Sequence, residues 1–300
     1  MLKHRLISAT FLISILSVAL FYSGTVGAVV FTIVGAVVLA RGLKEFFTML
    51  EKVGYRGFPT LTCAVGALMF LSVAVPSLLM NNAKSYAELE ILIIIFFVII
   101  GFIRVFKSEN HKDGLLQHLV SIGGLIYVCW TLNFIAKIYF IEGVEMSGRY
   151  LVLFLVAVTK SSDIGAYFTG TTTAKLLKGG NHKIAPRLSP GKSWEGFWGG
   201  CALSVIVAIV LVATLGDKLY IMNQSGVSQQ VITYTWAVII GVTFGTLGFL
   251  GDIAESVLKR SSGMKDSGSI LPGMGGIMDV VDSLTLVAPL FYCFIQISLK

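Results

Sequence analysis

Long apolar runs separated by short polar links set the rhythm of this chain. Runs of about 20 residues, enough for a helix to cross the hydrocarbon core of a bilayer, lie near 7–22, 25–41, 58–80, 89–106, 115–136, 148–170, 194–215, 231–250 and 284–299. They predict an all-α polytopic membrane protein with about nine transmembrane helices. The first run follows Lys3, His4 and Arg5 in the manner of a signal peptide. No small-residue cleavage site follows it and a second run begins almost at once, so it reads as a retained helix. The short uncharged link around Ser23 and Gly24 predicts a tight hairpin between these two spans.

Composition agrees with the pattern. Hydrophobic residues make up 55% and charged residues 13% of the chain, about half the charge of a soluble domain. Cys63, Cys129, Cys201 and Cys293 lie singly inside apolar stretches, which suggests neither a disulfide framework nor a zinc site. The net charge of +7 changes the picture only through its placement. Nine spans put the termini on opposite sides, and a cytoplasmic N-terminus places 17 of the 23 basic residues on the cytoplasmic side, as the positive-inside rule requires. The basic excess is then a topology signal and a contact for anionic membrane lipids, not a nucleic-acid surface. Residues 1–145 read as an N-terminal region of about five spans. Residues 146–300 read as the catalytic membrane region, with its chemistry on two cytoplasmic loops, 171–193 and 251–283.

Three stretches break the apolar pattern. In "KSSDIGAYFTG", residues 160–170, Lys160 and Asp163 sit within a span, where a charge costs about 2.5–3.5 kcal/mol on insertion scales. They form either a mutual ion pair at i, i+3 or a polar site facing a cavity open to the cytoplasm, with Asp163 available to a metal or nucleotide. Gly165 and Gly170 would allow close backbone approach. In "HKIAPRLSPGKSWEGFWGG", residues 182–200, the "GKS" is not a P-loop, because Pro186 stands where that motif needs glycine and no strand precedes it. What remains is a cationic loop with His182, Lys183, Arg187 and Lys192, a potential phosphate clamp. Ser193 is placed to cap the following helix, with Glu195 in its first turn.

The third stretch, "GDIAESVLKR" and its continuation, places Asp252, Glu255, Ser256 and Lys259 on one helical face. Lys265 and Asp266, a turn at Pro272–Gly273 and the pair Gly275–Gly276 follow. Asp279 and Asp282 then share one side of a helix at i, i+3. Two carboxylates that close repel unless a cation lies between them. Hard oxygen donors without a His/Cys set favour magnesium over zinc. Paired aspartates beside lysines read as phosphoryl or nucleotidyl transfer. A cation or lipid transporter is the rival from another class, but the polar residues collect at one face and no inverted repeat is visible.

The run S-x-x-K-R-x4-K-D-x-G-x-x-x-P-G-x-G-G-x-x-D-x-x-D-S, Ser256 to Ser283, resembles the signature of the phosphatidate cytidylyltransferases, also called CDP-diacylglycerol synthases. "SDIGAYFTG" and "SPGKSWEGFWGG" are similar to the family's other two blocks, in the same order. The match covers about residues 150–285. The resemblance implies CTP and phosphatidate as substrates, transfer of CMP to give CDP-diacylglycerol and pyrophosphate, dependence on magnesium with room for a second cation, and a homodimer. It implies Asp279 and Asp282 as metal carboxylates, with Asp252 and Asp163 as further candidates. Lys259, Arg260, Lys265 and Asp266 match the nucleotide- and phosphate-handling stretch, beside Ser256 and the backbone at Gly275 and Gly276. Ser189, Lys192, Ser193 and Glu195 match the SPxKTWEG block, with Gly191 and Ser193 as mild departures, and Lys183 joins the phosphate clamp. Met274 and Val280 stand where the family has histidine and arginine. Met cannot exchange protons and Val cannot pair with phosphate, so the resemblance implies an active variant or a related transferase acting on another lipid phosphate.

Overall fold

A computed structural model describes residues 2–22, 24–80, 87–141, 147–222 and 228–298; Ser23, in the expected hairpin link, lies outside the described residues. Nine helical segments among these residues are long and apolar enough to cross a membrane. They are α1 (Leu2–Phe21), α2 (Thr25–Lys52), α3 (Pro59–Met80), α4 (Ala87–Phe106), the segment α5–α6 (His111–Gly124 and Thr131–Tyr139), α7 (Ser147–Leu176), α8 (Trp194–Leu215), α9 (Tyr234–Ser261) and α10 (Met278–Ser298). The protein is an integral membrane protein of all-α class. Two short antiparallel ribbons punctuate the helices: β1 (Lys183–Ala185) with β2 (Ser189–Ser193), and β3 (Tyr220–Met222) with β4 (Ser228–Gln230).

The chain folds as two compact units, Met1–Phe140 with Leu258–Val280, and Ile141–Val257 with Val281–Lys300. In the first unit α2 outruns its apolar stretch by eleven residues. Arg41 and Lys44 end the hydropathy signal, yet the buried stripe continues through Leu43, Phe46, Phe47 and Met49, so packing rather than hydropathy sets the helix length. The fifth span is joined by a π-helical turn, Leu125–Trp130, which widens the helix where Val128 meets Gly42 of α2. Lys137, inside this span, pairs with the buried Glu90 of α4, whose other oxygen accepts from Asn133 Nδ2 at 2.5 Å. Intramembrane charges are tolerated when paired in this way.

In the second unit small residues let helices touch at backbone distance. A Cβ on Gly165 would lie 2.7 Å from the Gly199 carbonyl oxygen, and one on Gly200 would lie 2.8 Å from that of Ser162. The Gly196/Gly200 pair therefore seats α8 against α7. Likewise Gly241 and Gly245 of α9 lie against Val205 and Cys201 of α8. Both GxxxG spacings are thus used inside the protomer.

Candidate active site

Close packing of α7 and α8 puts polar groups at one end of the second unit. Ser193 caps α8, accepting from the Gly196 N–H at 3.2 Å, as its position before Trp194 suggests. The residues before it form the β1–β2 ribbon instead of an open loop. His182 Nδ1 lies 2.6 Å from Glu195 Oε1, and the His182 N–H donates to both Glu195 oxygens at 3.2 Å. Lys183 and Arg187 remain exposed on the ribbon, while Lys192 turns inward. Its Nζ lies 3.0 Å from Asp252 Oδ2, donates to the Phe249 carbonyl at 3.3 Å, and sits 4.7 Å above the Phe249 ring. Burial pushes the Lys192 ammonium below the ordinary lysine range, opposed by Asp252 and, more weakly, by Asp282 and Asp163.

Lys160 is the second inward cation. Its Nζ reaches Ser283 Oγ at 2.7 Å, Asp163 Oδ2 at 3.2 Å and Asp282 Oδ1 at 3.8 Å. The intramembrane lysine thus forms both the i, i+3 pair and part of a wider polar site. Asp252, Glu255 and Asp282 each place an oxygen within 4.8 Å of the others, with Glu255 and Asp282 buried. Gly251 makes this possible: a Cβ there would sit 2.5 Å from the Asp282 carbonyl oxygen, so only glycine lets α9 lie this close to α10. A cavity of about 290 Å³ opens beside these groups, lined by Ser162, Asp163, Ser189, Lys192, Phe249 and Asp252 among others. Tyr167, Trp194 and Trp198 are exposed around the same ends of α7 and α8, the placement expected of aromatic residues at the headgroup level.

The first unit holds the other half of the signature. Pro272 and Gly273 form the expected turn: Met274 N–H bonds to the Leu271 carbonyl at 2.9 Å, with Gly273 at φ 78° and Gly275 at φ 96°. Both angles favour glycine. Arg5 Nε donates to the Gly273 carbonyl at 2.9 Å and Ser8 Oγ to that of Pro272 at 3.0 Å, fastening the turn to α1. Asp279 accepts four hydrogen bonds: from Lys259 Nζ at 2.6 Å, and from Ser267 N, Ser267 Oγ and Gly276 N at 2.8 Å each. Lys265 and Asp266 are exposed beside it, and Arg260 donates to the Met264 carbonyl at 3.3 Å. Met274 and Val280 are half-buried, which suits apolar side chains.

The expected residues therefore fall into two sets. Asp163, Ser189, Lys192, Ser193, Glu195, Asp252, Ser256 and Asp282 belong to the second unit, with Lys183 exposed at its ribbon. Lys259, Arg260, Lys265, Asp266, Gly275, Gly276 and Asp279 belong to the first. Asp279, read from its spacing as a metal carboxylate, has both oxygens engaged by protein donors. Glu255, read from the sequence only as part of a polar helical face, completes the carboxylate trio instead. That trio is all-oxygen and crowded, with Asp252 partly open to solvent and the other two buried, a donor set that fits a hard divalent cation.

Comparison with known proteins places the chain. Residues 3–298 match the cytidylyltransferase family. The phosphatidate cytidylyltransferase of Haemophilus influenzae is 31% identical over 98% of this chain and 98% of its own length. That of Chlamydia trachomatis is 30% identical over 96% of this chain and 90% of its own, and that of Bacillus subtilis 36% over 51% of each. The three sequence blocks, the ribbon-and-cavity end of the second unit and a match running almost from end to end agree: this chain belongs to the cytidylyltransferase family.

Proposed function

We propose that this chain is a CTP:phosphatidate cytidylyltransferase of phospholipid biosynthesis. A phosphate oxygen of phosphatidate attacks the α-phosphorus of CTP, a new P–O–P bond forms, the α–β P–O bond breaks, and pyrophosphate leaves. The observation that carries this reading is the Asp252–Glu255–Asp282 trio, two of its members buried, beside a cavity lined by Lys192, in a chain related over nearly its full length to a phosphatidate cytidylyltransferase. The lipid phosphate is ionised near neutral pH, so the attack needs no strong general base, and Met274 in place of histidine is tolerable. Lys192 and Lys160, each among carboxylates, supply positive charge against the phosphates. The aromatic rim of Tyr167, Trp194 and Trp198 suits a substrate whose tails stay in the bilayer.

Magnesium is the cation this donor set best accommodates, held by Asp252, Glu255 and Asp282, with Asp163 as a neighbour. When bound, it would neutralise triphosphate charge and polarise the α-phosphorus. Asp279 would serve as a metal ligand only by releasing one of its four donors. We assign the N-terminus and the cavity to the cytoplasmic side, on the basic-residue distribution. A Lys183→Cys variant in a cysteine-depleted background should then react with an impermeant maleimide in inverted vesicles and not in intact cells; the reverse pattern overturns the orientation. A homodimer would need a surface other than the two GxxxG faces.

The direct test uses purified protein in mixed micelles with CTP, phosphatidate and magnesium. Pyrophosphate and CDP-lipid should appear in equal amounts and cease on chelation by EDTA. Turnover with another lipid phosphate but none with phosphatidate would overturn the substrate assignment.

A further inference from the structure

Glu45 is the one acidic residue on the buried stripe of α2, 6% exposed. Among the described residues it has no cationic partner within 4 Å. Its oxygens instead accept from the Ile277 N–H at 3.0 Å and the Met278 N–H at 2.9 Å, and Oε2 lies 3.0 Å from Ser267 Oγ, whose single proton it shares with Asp279. The first two are the otherwise unsatisfied donors at the start of α10, where a carboxylate is also favoured by the helix dipole. The third belongs to the residue whose N–H and hydroxyl both hold Asp279. The loop backbone lies directly on this carboxylate. A Cβ on Gly268 would be 2.8 Å from Glu45 Oε1, and a Cβ on Gly276 would fall onto Glu45 Oε2 and Ser267 Oγ. A lone carboxylate on a membrane helix is costly unless its acceptors are filled, and here the signature loop fills them.

We propose that Glu45 is a positioning residue for the reaction: through Ser267 and the first N–H groups of α10 it sets the register of the loop that presents Asp279 to Lys259 and carries the Lys265–Asp266 pair. This rests on the cytidylyltransferase reading for its catalytic consequence, but not for its structural one. Gln at this position keeps one acceptor and aims an amide N–H at a backbone donor. Ala removes both N–H bonds and the Ser267 contact, and Asp retracts the carboxylate by one methylene.

The test combines turnover with two readouts on the substrate-free protein. Glu45→Ala should lower kcat about 100-fold, the scale of a misplaced reacting group, with KM for both substrates within about threefold. Glu45→Asp should recover about tenfold of that loss. The thermal midpoint should stay within a few degrees of the parent, while trypsin cleavage after the exposed Lys265, followed as the 1–265 fragment, accelerates at least about tenfold as the loop is released. If Glu45→Ala fails to fold, the isosteric Glu45→Gln is read in its place. Turnover close to the parent's, or lost turnover with unchanged cleavage at Lys265, overturns the proposal. Absence of CTP-dependent turnover in the parent would instead overturn the functional reading, leaving the cleavage comparison to judge the hold on the loop.

Discussion

Asp282→Asn should lower CTP-dependent pyrophosphate release by about 10³-fold, the upper range for losing one preorganised charge-stabilising group, without lowering the melting temperature of the metal-free protein. The second half of this result separates a ligand from a structural residue. Asp282 is buried beside Glu255 and the half-exposed Asp252, with oxygens within 4.8 Å of one another, so in EDTA the trio repels itself and removing one charge relieves it. Asn still offers the oxygen that accepts from the Ser283 N–H at 2.6 Å. Lys160 loses a partner at 3.8 Å but keeps Asp163 at 3.2 Å and Ser283 at 2.7 Å. Magnesium should raise the melting temperature of the parent by mass action and leave that of the variant unchanged. Thermal unfolding in EDTA and in magnesium, beside the turnover assay, decides the matter. A variant with near-parental turnover would remove Asp282 from the metal site.

Asp279→Asn should also lose turnover, but by a different route that shows in stability. Asp279 accepts from four donors, and its partner Lys259 is only 11% exposed at the side chain. Breaking a buried pair by removing one partner costs about 3–5 kcal/mol. Asparagine makes this worse, since either rotamer turns its NH2 toward a donor. The midpoint should therefore fall by several degrees in EDTA as well as in magnesium. Adding Lys259→Met removes the other half of the pair and should return part of the stability while restoring no turnover. If Asp279→Asn instead melts like the parent and has lost its response to magnesium, Asp279 is a metal ligand and its four donors are dispensable.

Much of the fold was legible because hydropathy in a bilayer is a strong constraint. The span at 194–215 and the ends of α3 and α4 fall within a residue or two of the apolar runs. The reading fell short where packing, not hydropathy, extends a helix, as in α2 beyond Arg41 and α9 beyond Leu250. It also missed the β1–β2 ribbon, whose prolines at 186 and 190 and cationic residues suggested only an open loop. Within the site, local spacing found Asp252, Asp282, Asp279 and Lys192. It could not rank Asp279 against Glu255 as a ligand, because Asp279 is set apart by Lys259, Ser267 and the Gly276 N–H, which reach it only through the fold of the intervening turn. Glu45 gave a faint signal, an acidic residue on an otherwise apolar stripe, that makes sense only once Ile277 and Met278 lie against it.

The bond between Glu45 and the Ile277 N–H closes a sequence separation of 232 residues, and that has a consequence in time. During synthesis α2 enters the membrane with its carboxylate long before the backbone groups that satisfy it exist. Until α10 begins to emerge, the early helices carry an unfilled acceptor among apolar neighbours. The first unit includes Leu258–Val280 and cannot complete its packing before those residues are made, so a product that stops short of Ile277 should leave this carboxylate without its backbone donors.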